Sequence, residues 1–94
     1  MSRATWNGRL LAASDATIIV EGNHYFPPDS VDHSVLRDSD RTSRCFWKGT
    51  ARYKDVVVNG QVNTAAAWYY PDPSDAASHI AGYYAFWHGV QVHE

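Results

Sequence analysis

A dipeptide, Asn59-Gly60, separates two β-rich runs, Thr50 to Val58 and Gln61 to Tyr70, and constrains this chain more than any other feature. Asn-Gly supplies the positive φ values of a two-residue type I′ turn, so the flanking runs are predicted to form one long antiparallel hairpin. The first arm ends in Val56-Val57-Val58, whose branched side chains suit a pleated surface. Alternation along the second arm places Val62, Thr64, Ala66, Trp68 and Tyr70 on one face and Asn63, Ala65, Ala67 and Tyr69 on the other. Bulk on both faces predicts a central strand.

The same reasoning places the other elements. A second Asn-Gly pair, Asn7-Gly8, joins Thr5-Trp6 to Arg9-Leu10-Leu11-Ala12 in a short hairpin. The run Ala16 to Glu21 is rich in β-branched residues, and Gly22-Asn23 offers a turn that returns the chain as His24-Tyr25-Phe26. Pro27-Pro28 stops that return strand for want of a backbone N–H, and Asp29-Ser30 is expected to cap one helical turn. From Val31 to Arg44 the chain is polar and charged, with Val35 and Leu36 as adjacent apolar anchors, which predicts a surface loop holding a short extended piece. Pro71-Asp72-Pro73 ends the long hairpin, and Ser74 or Asp75 is expected to cap a short helix that Gly82 releases. Tyr83 to His93 reads as one final strand bent at Gly89. The sum is a mainly β, antiparallel fold with one or two short helices.

Ninety-four residues, 45% of them hydrophobic, fit one domain spanning residues 1–94. A formal net charge of -2 gives little attraction for polyanions, which sets nucleic acid aside as a partner. No apolar run approaches the roughly 20 residues of a membrane helix, and Met1 to Trp6 lacks the apolar core of a secretory signal. A cytoplasmic location with no membrane partner is therefore the expectation. The single cysteine, Cys45, forbids an internal disulfide and a multi-cysteine zinc site. His24, His33, His79, His88 and His93 show no metal-ligand spacing, so neither a metal nor a cofactor is expected.

Reactive chemistry concentrates in Ser43 to Tyr53, which holds the only thiol, several cations and three aromatic rings. Cations beside Cys45, namely Arg44 and Lys48, favour the thiolate, the nucleophilic form; the competing reading is a small buried hydrophobe. Lys48 is a candidate for orienting an anionic ligand or pairing with Glu21, and the alternative is a solvated lysine. Glu21, or His24, is the candidate for proton transfer. Tyr25, Phe26, Trp47, Tyr53, Trp68 and Tyr70 are candidates to line a pocket for a planar or cationic ligand, against the alternative of core packing; Tyr25, Trp68 and Tyr70 stand first.

Glu21-Gly22, Tyr25-Phe26-Pro27, Cys45-Phe46-Trp47-Lys48-Gly49-Thr50-Ala51, Tyr53, Ala67-Trp68, Tyr70-Pro71-Asp72-Pro73 and Ile80-Ala81-Gly82 together resemble the family catalogued as domain of unknown function 427. The resemblance covers nearly the whole chain, with Phe46 where the family usually carries proline. It implies an Mss4-like or β-tent type fold, a splayed sandwich of two antiparallel sheets with a cleft between them. Some catalogues label the family nucleotidyltransferase-like, although this chain has no Gly-Ser motif with paired aspartates. Related β-tent proteins pin their sheets with a cysteine-bound zinc, for which this chain lacks the cysteines.

The leading functional expectation is a small planar or polar ligand held in an aromatic-lined cleft by Tyr25, Trp47, Trp68 and Tyr70, with Glu21 and Lys48 giving polar orientation. One alternative is a thiol-dependent or nucleotidyltransferase-like enzyme using Cys45, Lys48 and Glu21. Another is an interaction module, including a homodimer, that docks through an exposed β edge or aromatic patch.

Overall fold

A computed structural model describes residues 1–94. Nine strands follow in chain order: β1 (Ser2–Trp6), β2 (Arg9–Ser14), β3 (Ile18–Val20), β4 (Asn23–Tyr25), β5 (Leu36–Cys45), β6 (Gly49–Val58), β7 (Gln61–Tyr69), β8 (Tyr84–Phe86) and β9 (Gln91–His93). The long hairpin forms as its turn chemistry dictates, with Val58 opposite Gln61 and with φ of 52° and 76° at Asn59 and Gly60. β7 is central in the four-stranded sheet β5-β6-β7-β8.

β2-β1-β9 form a second sheet and β3-β4 a two-stranded ribbon, all pairings antiparallel, so a third small sheet joins the two that were expected. The ribbon turns at Glu21-Gly22 rather than Gly22-Asn23, because Asn23 pairs with Val20; φ is 54° at Glu21 and 80° at Gly22.

Two expected elements differ more. The polar stretch before Cys45 is a ten-residue edge strand, not a loop. An edge strand is bonded on one side only, so polar residues are tolerated along it and no apolar alternation marks it. Ion pairs tie it to its neighbour: Arg37 to Asp55 at 3.3 Å, and Lys54 to Asp38. The tail is two strands rather than one. A turn through His88 and Gly89, with φ of 55° and 87°, carries the chain from β8, which pairs with β7, to β9, which pairs with β1.

The helical segments are 3₁₀ helices at Pro28–Ser30, His33–Val35 and Asp75–Ile80. Pro27, not Asp29, holds the first N-cap position, and no side chain caps that turn. Ser74 holds the N-cap of the third, but its hydroxyl donates to the Trp47 carbonyl instead of capping.

Strand alternation gives the four-stranded sheet two cores. Val56 and Val58 of β6 join Ala4, Leu11, Phe26 and Phe86 in the first, packed with the β1–β2 hairpin. Ala51 and Tyr53, on the opposite face of β6, join Tyr25, Trp68, Tyr70 and Ile80 in the second, covered by the ribbon and the Asp75–Ile80 helix.

The alternation expected along β7 is broken by a bulge. Lys54 pairs with Ala67 and Val56 with Asn63, so the single residue Asp55 lies opposite three, residues 64–66, and Ala65 takes φ of 52°. Ala65 therefore joins Trp68 and Tyr70 in the second core, whereas Ala66 joins Ala67 in the first. Side chains satisfy the freed backbone groups. Asp55 Oδ1 accepts from the Ala65 N–H at 2.8 Å, and the Trp87 indole donates to the Ala65 carbonyl at 2.7 Å.

Candidate functional site

The hairpin sets Tyr53 of β6 opposite Trp68 of β7, and period two adds Tyr70 to the same face. A bond from the Gly82 N–H to the Tyr70 carbonyl, 3.0 Å, fixes the end of that strand. From the ribbon, Tyr25 meets Trp68 edge-on, with ring centroids 6.2 Å apart, and its hydroxyl accepts from the Trp68 indole N–H at 3.1 Å. Trp87, anchored on the bulge, lies 5.3 Å from the Trp68 ring and 6.1 Å from the Tyr53 ring. Between them is a cavity of about 260 Å³ lined by Asn23, Tyr25, Lys48, Tyr53, Trp68, Tyr70 and Trp87.

Lys48 comes from the loop between β5 and β6. The Ser74 N–H donates to the Lys48 carbonyl at 2.9 Å, which holds that loop against Pro71-Asp72-Pro73. Gly49 follows with φ of 111°, a conformation that disfavours any side chain, and a Cβ there would lie 3.5 Å from Pro73 Cα. The Lys48 side chain is only 7% exposed, and its ammonium hydrogen-bonds Glu21 Oε1. Its Nζ lies 5.4 Å from the ring centroids of both Trp47 and Tyr70. The Trp47 indole donates to Glu21 Oε2 at 3.4 Å. At the rim, the Arg41 guanidinium lies 4.7 Å from the Tyr53 ring and 5.2 Å from the Trp87 ring.

Burial opposes the charge on Lys48, but the Glu21 hydrogen bond and the Tyr25 and Tyr70 oxygens outweigh it and raise the ammonium pKa. The Lys48 bond, then that of Trp47, holds the Glu21 carboxyl below its ordinary range. Burial pushes the Tyr25, Tyr70 and Tyr84 phenols up. The folded chain thus keeps these lysine and tyrosine protons to higher pH than the unfolded chain. Above the unfolded values, near pH 10, the unfolded chain binds fewer protons and stability falls as pH rises. Thermal melts are expected to hold level to about pH 9 and to drop between about pH 10 and 12; an undiminished melting temperature at the top of that range would contradict the assignment.

Glu21, Tyr25, Lys48, Trp68 and Tyr70 come together, and Trp47 abuts the Lys48–Glu21 pair without lining the cavity. Other candidates lie elsewhere. Cys45 is half-buried against the second core and does not line the cavity. Arg44 projects from the opposite face of β5 to Cys45 and lines a separate depression with Arg52. Phe46 is 98% exposed. Phe26 is buried in the first core. His24 alternates with Tyr25 along β4, and its Nδ1 lies 3.0 Å from Thr17 Oγ1.

Asn23, Trp87 and Arg41 are site residues that the sequence did not single out. Asn23 was placed in a turn, Trp87 was hidden in a uniformly aromatic tail, and Arg41 in a stretch read as loop. Two larger depressions, about 560 and 550 Å³, lie at the Asn7-Gly8 turn and beside Pro71-Asp72-Pro73 and include none of the predicted site residues. No group of three His, Cys, Asp or Glu side chains is placed to hold a metal ion, and no helix is long and apolar enough to cross a membrane.

Fold and site together define a small antiparallel β protein with an aromatic cavity lined by a lysine ammonium whose carboxylate partner lies outside it. A family model described as a domain of unknown function (DUF427) matches residues 1–94, and the chain belongs to that family. The model's short name carries a nucleotidyltransferase label. No curated protein matches.

Proposed function

We propose that the chain binds a small planar, polar molecule in the cavity between the β3–β4 ribbon and the four-stranded sheet. The observation that carries this reading is the convergence of Tyr25, Tyr53, Trp68 and Trp87 with a buried cation around about 260 Å³ of open space. Aromatic walls stack on flat rings, and a few polar groups fix orientation. The volume lies just below the range of drug-sized pockets, about 300–1,000 Å³, which favours a one- or two-ring compound over a nucleoside triphosphate. A thiol-dependent or nucleotidyl-transfer reaction at Cys45 and Lys48 has less support. Cys45 is outside the cavity, and a lysine held as ammonium offers no lone pair for nucleophilic or basic work.

Titration with adenine and with indole-3-carboxamide tests the reading, because Trp68 and Trp87 in the walls report occupancy through intrinsic fluorescence. Saturable quenching by at least one compound, with a raised melting temperature, is expected. Trp68→Phe keeps most of the buried volume and is expected to weaken that binding roughly three- to tenfold. An intact fold that shows no saturable response to either compound would remove the reading.

A further inference from the structure

The one ionic partner of Lys48 sits outside the cavity that Lys48 lines. The lysine side chain is 7% exposed, whereas that of Glu21 is 53% exposed. Glu21 stands at the tip of the ribbon with φ of 54°, a left-handed conformation that costs a non-glycine residue free energy. Its second bond, from Trp47, is long at 3.4 Å.

We propose that the ligand of this cavity is a small aromatic carboxylate whose carboxylate replaces Glu21 on the Lys48 ammonium while its ring lies among Tyr53, Trp68 and Trp87. The inference rests on the planar-ligand reading above and adds the charge. A ligand that fills the cavity displaces water from beside Lys48, and a buried ammonium retains its charge only with an anion beside it. A carboxylate brought by the ligand meets that need and matches the group it displaces. Glu21, already half in water, is resolvated on release at small cost.

Two further groups favour an anion. The Tyr25 hydroxyl accepts from Trp68 and so keeps its own proton to donate. Arg41 has no carboxylate within ion-pair distance, which leaves an unneutralised cation at the rim over Tyr53 and Trp87. A cationic ligand, by contrast, meets two like charges.

The test compares indole-3-carboxylate with indole-3-carboxamide, which share a ring and differ in charge, by calorimetric titration of the full chain and its variants. The unaltered protein is expected to bind the carboxylate about tenfold or more tighter than the amide. Lys48→Met is expected to remove most of that preference, leaving what Arg41 and Tyr25 contribute, and Lys48→Arg to retain it. Glu21→Gln removes the internal competitor, so carboxylate affinity should rise several-fold while amide affinity stays within about twofold.

Equal binding of the two compounds by the unaltered protein, or a preference that Lys48→Met leaves undiminished, overturns the charge assignment and leaves the planar-ligand reading standing. Unchanged carboxylate affinity in Glu21→Gln overturns the displacement. Failure of both indole compounds to bind removes the carboxylate assignment, and the planar-ligand reading falls with it only if adenine also fails to bind. Melting curves establish that each variant is folded; should Lys48→Met not fold, the unaltered protein and Glu21→Gln decide the matter.

Discussion

Phe26→Ala is expected to lower the free energy of unfolding by about 3–5 kcal/mol, the range for emptying a fully buried phenylalanine site. Phe26 has no exposed surface and meets Phe86 edge-on at 5.8 Å in the first core. Its backbone cannot close the gap, because paired bonds to Tyr84, 2.8 and 2.9 Å, pin it between β4 and β8. A chain of this size has about 5–15 kcal/mol of stability in all, so the variant should melt roughly 15–30 °C lower. Urea unfolding measures the loss. Phe26→Leu refills most of the space, should cost about 1 kcal/mol, and should leave ligand binding unchanged, since its neighbour Tyr25 alone faces the cavity. Altered binding in the leucine variant would show that the two cores are not separate.

Asp55→Ala carries the second large effect, about 2–4 kcal/mol. It strips the acceptor from the buried Ala65 N–H and the partner from Arg37. Arg37 is 59% exposed and returns to water, so Arg37→Ala should cost under about 1 kcal/mol. The peptide group at the bulge has no such recourse. The carbonyls of Ala65 and Ala66 accept from the Trp87 indole and backbone N–H, so loss of Asp55 should also loosen Trp87 and weaken binding of ring compounds. Asp55→Asn keeps an acceptor and should recover most of both losses. An alanine variant as stable as the parent would mean that the bulge holds without its carboxylate.

The parts of this fold that were legible in the sequence are those where local chemistry decides. Asn7-Gly8 and Asn59-Gly60 fix their turns with the two residues that most readily take positive φ. Elsewhere the deciding partner is distant. Nothing in Arg37-Asp38-Ser39-Asp40-Arg41 alternates, because an edge strand's pairing comes from β6 and not from its own pattern. The Tyr83–His93 run has one composition, yet its two halves join different sheets, a choice made by what lies beside them. The bulge was equally silent, since the three alanines carry no periodicity to interrupt.

At the site, the segments around Glu21, Lys48 and Trp68 were legible as a group through their shared aromatic character. Their meeting depends on the Glu21-Gly22 turn and on Gly49 beside Pro73, which no single segment encodes. Trp87 was hidden for the same reason as the bulge that seats it.

The two walls of the cavity are unequally held. One stands on β6 and β7, long strands bonded along their length and shared by both cores; the other is a ribbon of two three-residue strands. Short elements with few buried neighbours open at lower free energy than the strands of a core. Glu21, on the ribbon turn, belongs to the wall expected to open first, so a ligand of the proposed kind would enter by movement of the ribbon rather than by parting of the sheet.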